Sequence, residues 1–230
     1  MTMIVYELVG ADAARPFSPH CWKAVMALAH KGLDFERRGM RFVEVAQIEG
    51  GVSKTVPVLR DGTTLVSDSF AIAEYLDEAY PDRPSLFGGE GGRAMARFVE
   101  RWTQLTLHPY LGKAALMDIH DAQDAENRRY FRASREKRYG IPLEAAATIR
   151  DAGLGEFRAA LEPVRSTLTF QRFIGGSRPL FADYIVFAAL QWVRVISPFA
   201  YLAPDDPVAA WFERCLDLHD GVGRAVPAAA

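Results

Sequence analysis

The sequence predicts two unlike halves, a mixed α/β first half followed by an all-helical second half. Three observations carry this. Residues 53–81 read as strand, tight turn, strand and helix, with Val58-Leu59 and Leu65-Val66 flanking an Asp61-Gly62 turn. A glycine-rich stretch, Leu86-Phe87-Gly88-Gly89-Glu90-Gly91-Gly92, follows directly. Beyond Arg93 no convincing alternating run is found, and the apolar residues recur at helical spacing. The expected division is a first unit at 1–84, a linker at 85–92 and a helical unit at 93–230.

Taken in order, Met3 to Leu8 is a buried first strand, and residues 9–16 form a loop ending in Arg15-Pro16. Residues 17–31 are a helix opened by Ser18-Pro19, where proline is pre-set for a first turn, and closed by Lys31-Gly32. Residues 34–41 are a more polar strand, and 42–47 a weakly helical stretch. The hairpin then feeds a helix whose start holds Ser67, Asp68 and Ser69, all N-cap types, and which ends before Pro81. Strand, helix, strand, then strand, strand, helix is a thioredoxin-like arrangement. In the second half, helices are expected at 93–120, 126–139, 143–168, 182–196 and 207–218. The glycines at 88–92 do not form a phosphate loop, because no strand feeds them and no Lys-Ser/Thr follows.

Composition narrows the function classes. Of 230 residues, 50% are hydrophobic and 24% charged, ordinary values for a globular chain, and a net charge of -2 gives no case for nucleic acid or an anionic membrane as the main partner. The basic run Arg128, Arg129, Arg132, Arg135, Lys137, Arg138 is interleaved with Glu126 and Glu136 and reads as a solvated helix face. No signal peptide and no apolar stretch near the ~18 residues of a membrane span are found, so a cytoplasmic location is expected. Cys21 and Cys215 form no metal or redox motif, and the five histidines show no ligand spacing, so no metal is expected.

The hairpin carries the binding chemistry. Proline cannot donate to a ladder, so Pro57 belongs at the first residue of a strand or on an edge. A cis bond before it would leave the backbone of Val56 facing outward, free to pair with a peptide-like ligand. The following helix start offers donors at Ser69 to a carboxylate, and Asp68 can take an ammonium. A short peptide held by strand pairing, with its zwitterion at a helix start, describes a glutathione site. Lys54 is a further candidate, for the glycyl carboxylate.

Thr-Val-Pro-Val-Leu, Ser-Asp-Ser and Ile-Ala-Glu-Tyr-Leu-Asp in this order resemble the thioredoxin-like half of cytosolic glutathione S-transferases. Phe17-Ser18-Pro19-His20-Cys21-Trp22-Lys23, His30-Lys31-Gly32, Ala73-Glu74-Tyr75-Leu76-Asp77, Pro81-Asp82-Arg83-Pro84 with Leu86-Phe87, and Ser134-Arg135-Glu136 are similar to bacterial β-etherases and etherase-like fungal transferases. Phe181-Ala182-Asp183-Tyr184, Asp205-Asp206-Pro207 and Asp220-Gly221-Val222-Gly223-Arg224 extend the match almost to the C-terminus. One residue departs from the pattern. Transferases usually carry Ser or Thr three residues before Asp183, and Leu180 stands there, so a side-chain cap is lost while Asp183 can still bond backbone near Leu180.

The resemblance implies glutathione as co-substrate, an apolar and aromatic electrophile, a β-aryl ether among the candidates, and a homodimer about a two-fold axis. Ser18, at the start of the first helix, is the candidate to stabilise the thiolate, which is the nucleophilic form. Serine there argues against disulfide exchange, and Cys21 without a partner reads as a packed thiol. Tyr6 is the rival hydroxyl, although its place inside the strand favours core packing. Phe98, Trp102 and Tyr110 are read mainly as core, with a weak claim to line the apolar substrate pocket. A ligandin-type binder of aromatic compounds or glutathione conjugates, with little turnover, is the alternative reading.

Overall fold

The computed structural model describes residues 2–229. Four strands, β1 (Met3–Leu8), β2 (Phe35–Met40), β3 (Val58–Asp61) and β4 (Thr64–Ser67), form one sheet in the order β2-β1-β3-β4. β1 runs parallel to β2 and antiparallel to β3, in register with Met3 opposite Phe35 and Tyr6 opposite Val58. The parallel pair needs a crossover, supplied by α1 (Pro19–His30), and the β3–β4 pair closes through Gly62, whose φ of 59° suits a turn that glycine enters without strain. α2 (Ser69–Ala79) follows and packs beside α1. β1 is buried along its whole length, as expected of a strand flanked on both sides.

The remaining helices are α3 (Glu90–Trp102), α4 (His108–Ala114), α5 (Leu116–Asp121), α6 (Ala125–Tyr139), α7 (Leu143–Ala147), α8 (Ile149–Ala152), α9 (Leu154–Ala160), α10 (Glu162–Thr167), α11 (Phe181–Ile196), α12 (Pro207–Leu216) and α13 (Leu218–Gly221). α11, apolar nearly all round, is the axis of the second half and lies against α1. Three boundaries differ from expectation. The linker gives way to helix at Glu90 rather than Arg93, because Gly92 lets the first turn close over the Phe87 carbonyl where a Cβ would collide. The helix expected over 93–120 is broken by a π-helical turn at Thr103–Leu107, just before Pro109, and again at Ala115. The helix expected over 143–168 is broken into four short segments around Thr148, Gly153 and Leu161.

Charged groups of α1 are buried against both halves, which its amphipathic pattern did not reveal. Lys23 is 2% exposed and pairs with Glu100 of α3 at 2.9 Å, and Glu100 is shared with Arg97 at 3.0 Å. Lys31 meets Asp77 of α2 at 2.7 Å, and Asp77 also receives the Leu86 amide (2.8 Å) and the Ser85 hydroxyl (2.9 Å). These contacts fix the linker to the first half.

A second buried chain has a defined direction. The Ser85 carbonyl can only accept, so His30 Nε2 carries the proton at 3.1 Å, and His30 Nδ1 must accept from Tyr184 Oη at 2.6 Å. The Tyr184 oxygen then receives His219 Nε2–H at 2.8 Å. Protonating His30 at Nδ1 would set a second donor against the Tyr184 hydroxyl as it is oriented here. Burial pushes His30 down to about 4 and lowers His219 too.

His20, pushed down to about 3, and His108, to about 4, are lowered first by burial and then by Lys23. Between these folded values and the unfolded value near 6.5 the unfolded chain binds more protons, so stability falls as pH drops through that window. The expected loss between pH 7 and 5 is roughly 1–2 kcal/mol for each of His20, His30 and His108. Urea unfolding at the two pH values measures it, and an unchanged midpoint contradicts it.

Candidate functional site

The loop between β1 and α1 is anchored at both ends. The Phe17 amide donates to the Leu8 carbonyl at 3.1 Å, and Trp22 Nε1 donates to the Pro16 carbonyl at 3.0 Å. This sets Ser18 as the N-cap of α1, 5% exposed, with its Oγ accepting from the Cys21 amide at 3.4 Å. As Oγ is the acceptor there, the hydroxyl proton remains free to donate. Pro19 has no N–H, and the His20 amide has no partner among the described residues, so this helix end presents unspent donors and the positive end of the dipole. Cys21 is fully buried and its thiol is pushed up to about 12 by burial, then by Glu7, which makes it a packed, unreactive group.

Ser18 opens onto a cavity of about 560 Å³ between the two halves. From the first half, Phe42, Lys54 and Val56 line it. From the second half come His108 of α4, Phe131 and Tyr139 of α6, and Trp192 of α11. Val56-Pro57 is a cis peptide, and Val56 makes no hydrogen bond through its backbone to other described residues. Pro57, buried, precedes β3 directly. Lys54 is exposed and has no carboxylate within salt-bridge range among the described residues.

Asp68 and Ser69 do not line this cavity; they form the start of α2. Asp68 has φ 78°, a conformation non-glycine residues adopt only under strain. Its Oδ1 caps the Phe70 and Ala71 amides at 2.9 and 3.0 Å, which leaves Oδ2 without a protein partner. Ser69 is 1% exposed, and its Oγ has no hydrogen-bond partner among the described residues. A buried hydroxyl without a partner costs free energy unless something else binds it.

The other candidates lie elsewhere. Tyr6 points to the far side of β1, where its hydroxyl meets Glu49 and receives Arg38 at 3.3 Å, and burial raises its pKa, so it does not face Ser18. Phe98, Trp102 and Tyr110 are absent from the cavity wall. Phe98 is 68% exposed on α3, Trp102 packs on the core, and Tyr110 stacks on Phe157 while donating to the Arg150 carbonyl at 2.6 Å.

Residues that sequence spacing did not single out stand there instead. Phe42 belongs to an irregular segment, and His20 and His108 are 88 positions apart yet pack with ring centroids at 5.5 Å. The basic run of α6 is divided. Arg132 pairs with Glu136 and Glu144 in solvent, whereas Arg135 and Arg138, spaced with Phe131 on one helical face, line the cavity. Among the described residues, no group of three His, Cys, Asp or Glu side chains is placed to hold a metal, and no helix is long and apolar enough to cross a membrane.

A thioredoxin-like sheet, a helical half and a cleft between them opened by a helix N-terminus define a class of thiol-binding proteins. The pattern described as the glutathione S-transferase C-terminal domain matches residues 94–217, and that of the N-terminal domain matches 17–79. The chain belongs to the glutathione S-transferase family. It is 44% identical over 66 residues to glutathione S-transferase Z1 of Arabidopsis thaliana, covering 26% of this chain and 30% of that protein. With glutathione S-transferase U28 of the same plant it is 24% identical over 217 residues, covering 91% of this chain and 85% of the other. The match to Z1, like that to Z2 at 48%, thus spans under half of the relative's length.

Among solved structures, a glutathione S-transferase of Ceriporiopsis subvermispora in complex with glutathione has a TM-score of 0.80 at 21% identity, over 96% of this chain and 97% of that one. Glutathione transferase GSTFuA3 of Phanerochaete chrysosporium gives 0.77 at 23%, over 100% and 99%. At these identities the likeness establishes the fold.

Proposed function

We propose that the protein binds glutathione and activates its thiol for attack on an electrophilic carbon of an aromatic substrate. The observation that carries this is the Ser18 hydroxyl at the start of α1, opening onto a cavity that also holds Val56 and Lys54. The Val56 backbone pairs with the peptide's cysteinyl unit, Lys54 meets its glycyl carboxylate, and Ser69 with Asp68 holds the γ-glutamyl zwitterion. Ser18 donates to the sulfur. The thiol proton leaves to solvent, the sulfur forms a C–S bond, and the leaving group departs with the bonding electrons.

The aromatic walls Phe42, Phe131, Tyr139 and Trp192 support a ring-bearing substrate. The motifs shared with the etherase branch extend the reading to a β-aryl ether, with a phenolate as leaving group.

Glutathione is expected to raise the melting temperature, since a ligand that binds only the folded state stabilises it. Ser69→Ala is expected to weaken binding by roughly 1.5–3 kcal/mol, the range of a charge-assisted hydrogen bond. No thermal shift at millimolar glutathione would sink this reading. The protein is further read as a homodimer. Met95, Phe98 and Leu105 stand exposed on α3 and the turn after it, at 54%, 68% and 68%, a place for a second copy to cover. Light scattering is expected to give twice 25.5 kDa, and a monomer at micromolar concentration contradicts it.

A further inference from the structure

Charge in the cavity is one-sided. Lys54, Lys113, Arg135 and Arg138 all line it, and no Asp or Glu does. None of the four has a salt-bridge partner among the described residues, although arginines elsewhere, such as Arg132 and Arg165, are paired. Glutathione accounts for one of them. On the reading above, Lys54 faces the glycyl carboxylate, and the zwitterion lies at the α2 start outside this cavity. Lys113 on α4 and Arg135 and Arg138 on α6 stand on the opposite wall, the side left for the second substrate.

Arg135 is the best placed of the three. Its guanidinium lies over Phe131, with the central carbon 4.8 Å from the ring centroid, and within 5.7 Å of that of Phe42. It is half-buried, and its one side-chain bond runs from Nη1 to Ser134 Oγ at 3.0 Å, which leaves the other donors of the fork free. Burial lowers its pKa, the mark of a cation lacking a compensating anion. Lys113 and Arg138 flank the Tyr139 ring at 5.7 and 6.0 Å. A planar fork stacked on aromatic rings matches a carboxylate attached to a ring. The ring lies on the apolar wall, and the carboxylate takes two parallel N–H donors.

We propose that the electrophile of this enzyme is an aromatic carboxylate, its carboxylate held by Arg135 with Arg138 and Lys113, rather than a neutral apolar compound. The proposal rests on the transferase reading of the cavity and names the substrate class for it.

Two probes that share one ring and differ in charge test it, 3-nitrobenzoate and its methyl ester, titrated calorimetrically into the protein with and without saturating glutathione. The acid is expected to bind at least tenfold more tightly than the ester, and Arg135→Met is expected to abolish that preference while leaving ester affinity within a factor of about two. Arg138→Met is expected to halve the preference at least, which guards against a folding defect in the first variant. Equal affinity for acid and ester in the wild type, or a preference untouched by both substitutions, overturns the proposal.

Glutathione affinity is expected to be unchanged in Arg135→Met. If it falls by tenfold or more, the cations hold the tripeptide, and the substrate class is refuted while the transferase reading stands. If the wild type binds no glutathione, that reading falls, and the acid–ester comparison still decides whether this wall selects anionic rings.

Discussion

Asp183→Ala is expected to be strongly destabilising. The carboxylate is wholly buried and accepts four hydrogen bonds, from the Ile174, Gly175 and Leu180 amides at 2.7, 2.8 and 3.0 Å and from Trp211 Nε1 at 3.0 Å. All four partners are donors, so a proton on this carboxyl would have no acceptor, even though burial pushes its pKa up. Alanine orphans four buried donors, each costing about 1–3 kcal/mol when unsatisfied, and water entering the space recovers part of this.

A net loss of roughly 4 kcal/mol or more lowers the melting temperature by about 10 °C in a chain of this size. Asp183→Asn keeps one acceptor oxygen but turns an NH₂ toward donors, and about half the loss is expected. A change below about 1 kcal/mol for alanine would show that the loop at 174–180 has other means of support. Leu180 is part of the same device. Its side chain cannot cap, yet its carbonyl receives the Asp183 amide at 2.9 Å, so the reciprocal bond is made by backbone on one side and carboxylate on the other.

Ser18→Ala is expected to slow conjugation on the order of tenfold to a hundredfold, with glutathione affinity nearly unchanged. A single neutral donor to sulfur accounts for about one or two pKa units, each about 1.36 kcal/mol of preference for the thiolate. The free amides and dipole of α1 supply the rest and survive the substitution. On the proposed reading Val56, Lys54 and the α2 start hold the tripeptide, so the change is expected in kcat rather than in KM. The buried Oγ also caps α1, and its loss costs about 1 kcal/mol of stability. That effect is separable, because Ser18→Gly restores little of the rate while recovering most of the cap.

The first half was largely legible because its elements carry local punctuation. Asp61-Gly62, the N-cap run at 67–69 and Ser18-Pro19 each mark a turn or helix start within a few residues, and each element begins or ends within two of its mark. The second half was legible as helical but not as segmented. The breaks fall at 103–107, just before Pro109, and around Thr148, Gly153 and Leu161, while apolar residues still recur at helical spacing across them.

The candidate site divides in the same way. Ser18, Val56 and Lys54 reach one cavity because strand and helix ends deliver them there. The far wall of the cavity is assembled from residues far apart in sequence, Phe42, His108, Arg135 and Trp192, and their convergence depends on helix packing rather than on any local pattern. Phe98 shows the same limit in reverse. It sits on the helical stripe that should be core, and the structure turns that stripe to the surface.

The thiol of bound glutathione is where activation by Ser18 is read most directly. Ultraviolet absorbance of the thiolate, titrated from pH 5 to 10 with saturating enzyme, reads its pKa directly. The expected value lies one to two units or more below the ordinary thiol value of about 8.5 in the wild type, moving back up by about one to two units in Ser18→Ala. A wild-type pKa equal to that of free glutathione, or one that Ser18→Ala leaves in place, would contradict it and return Ser18 to the role of a helix cap.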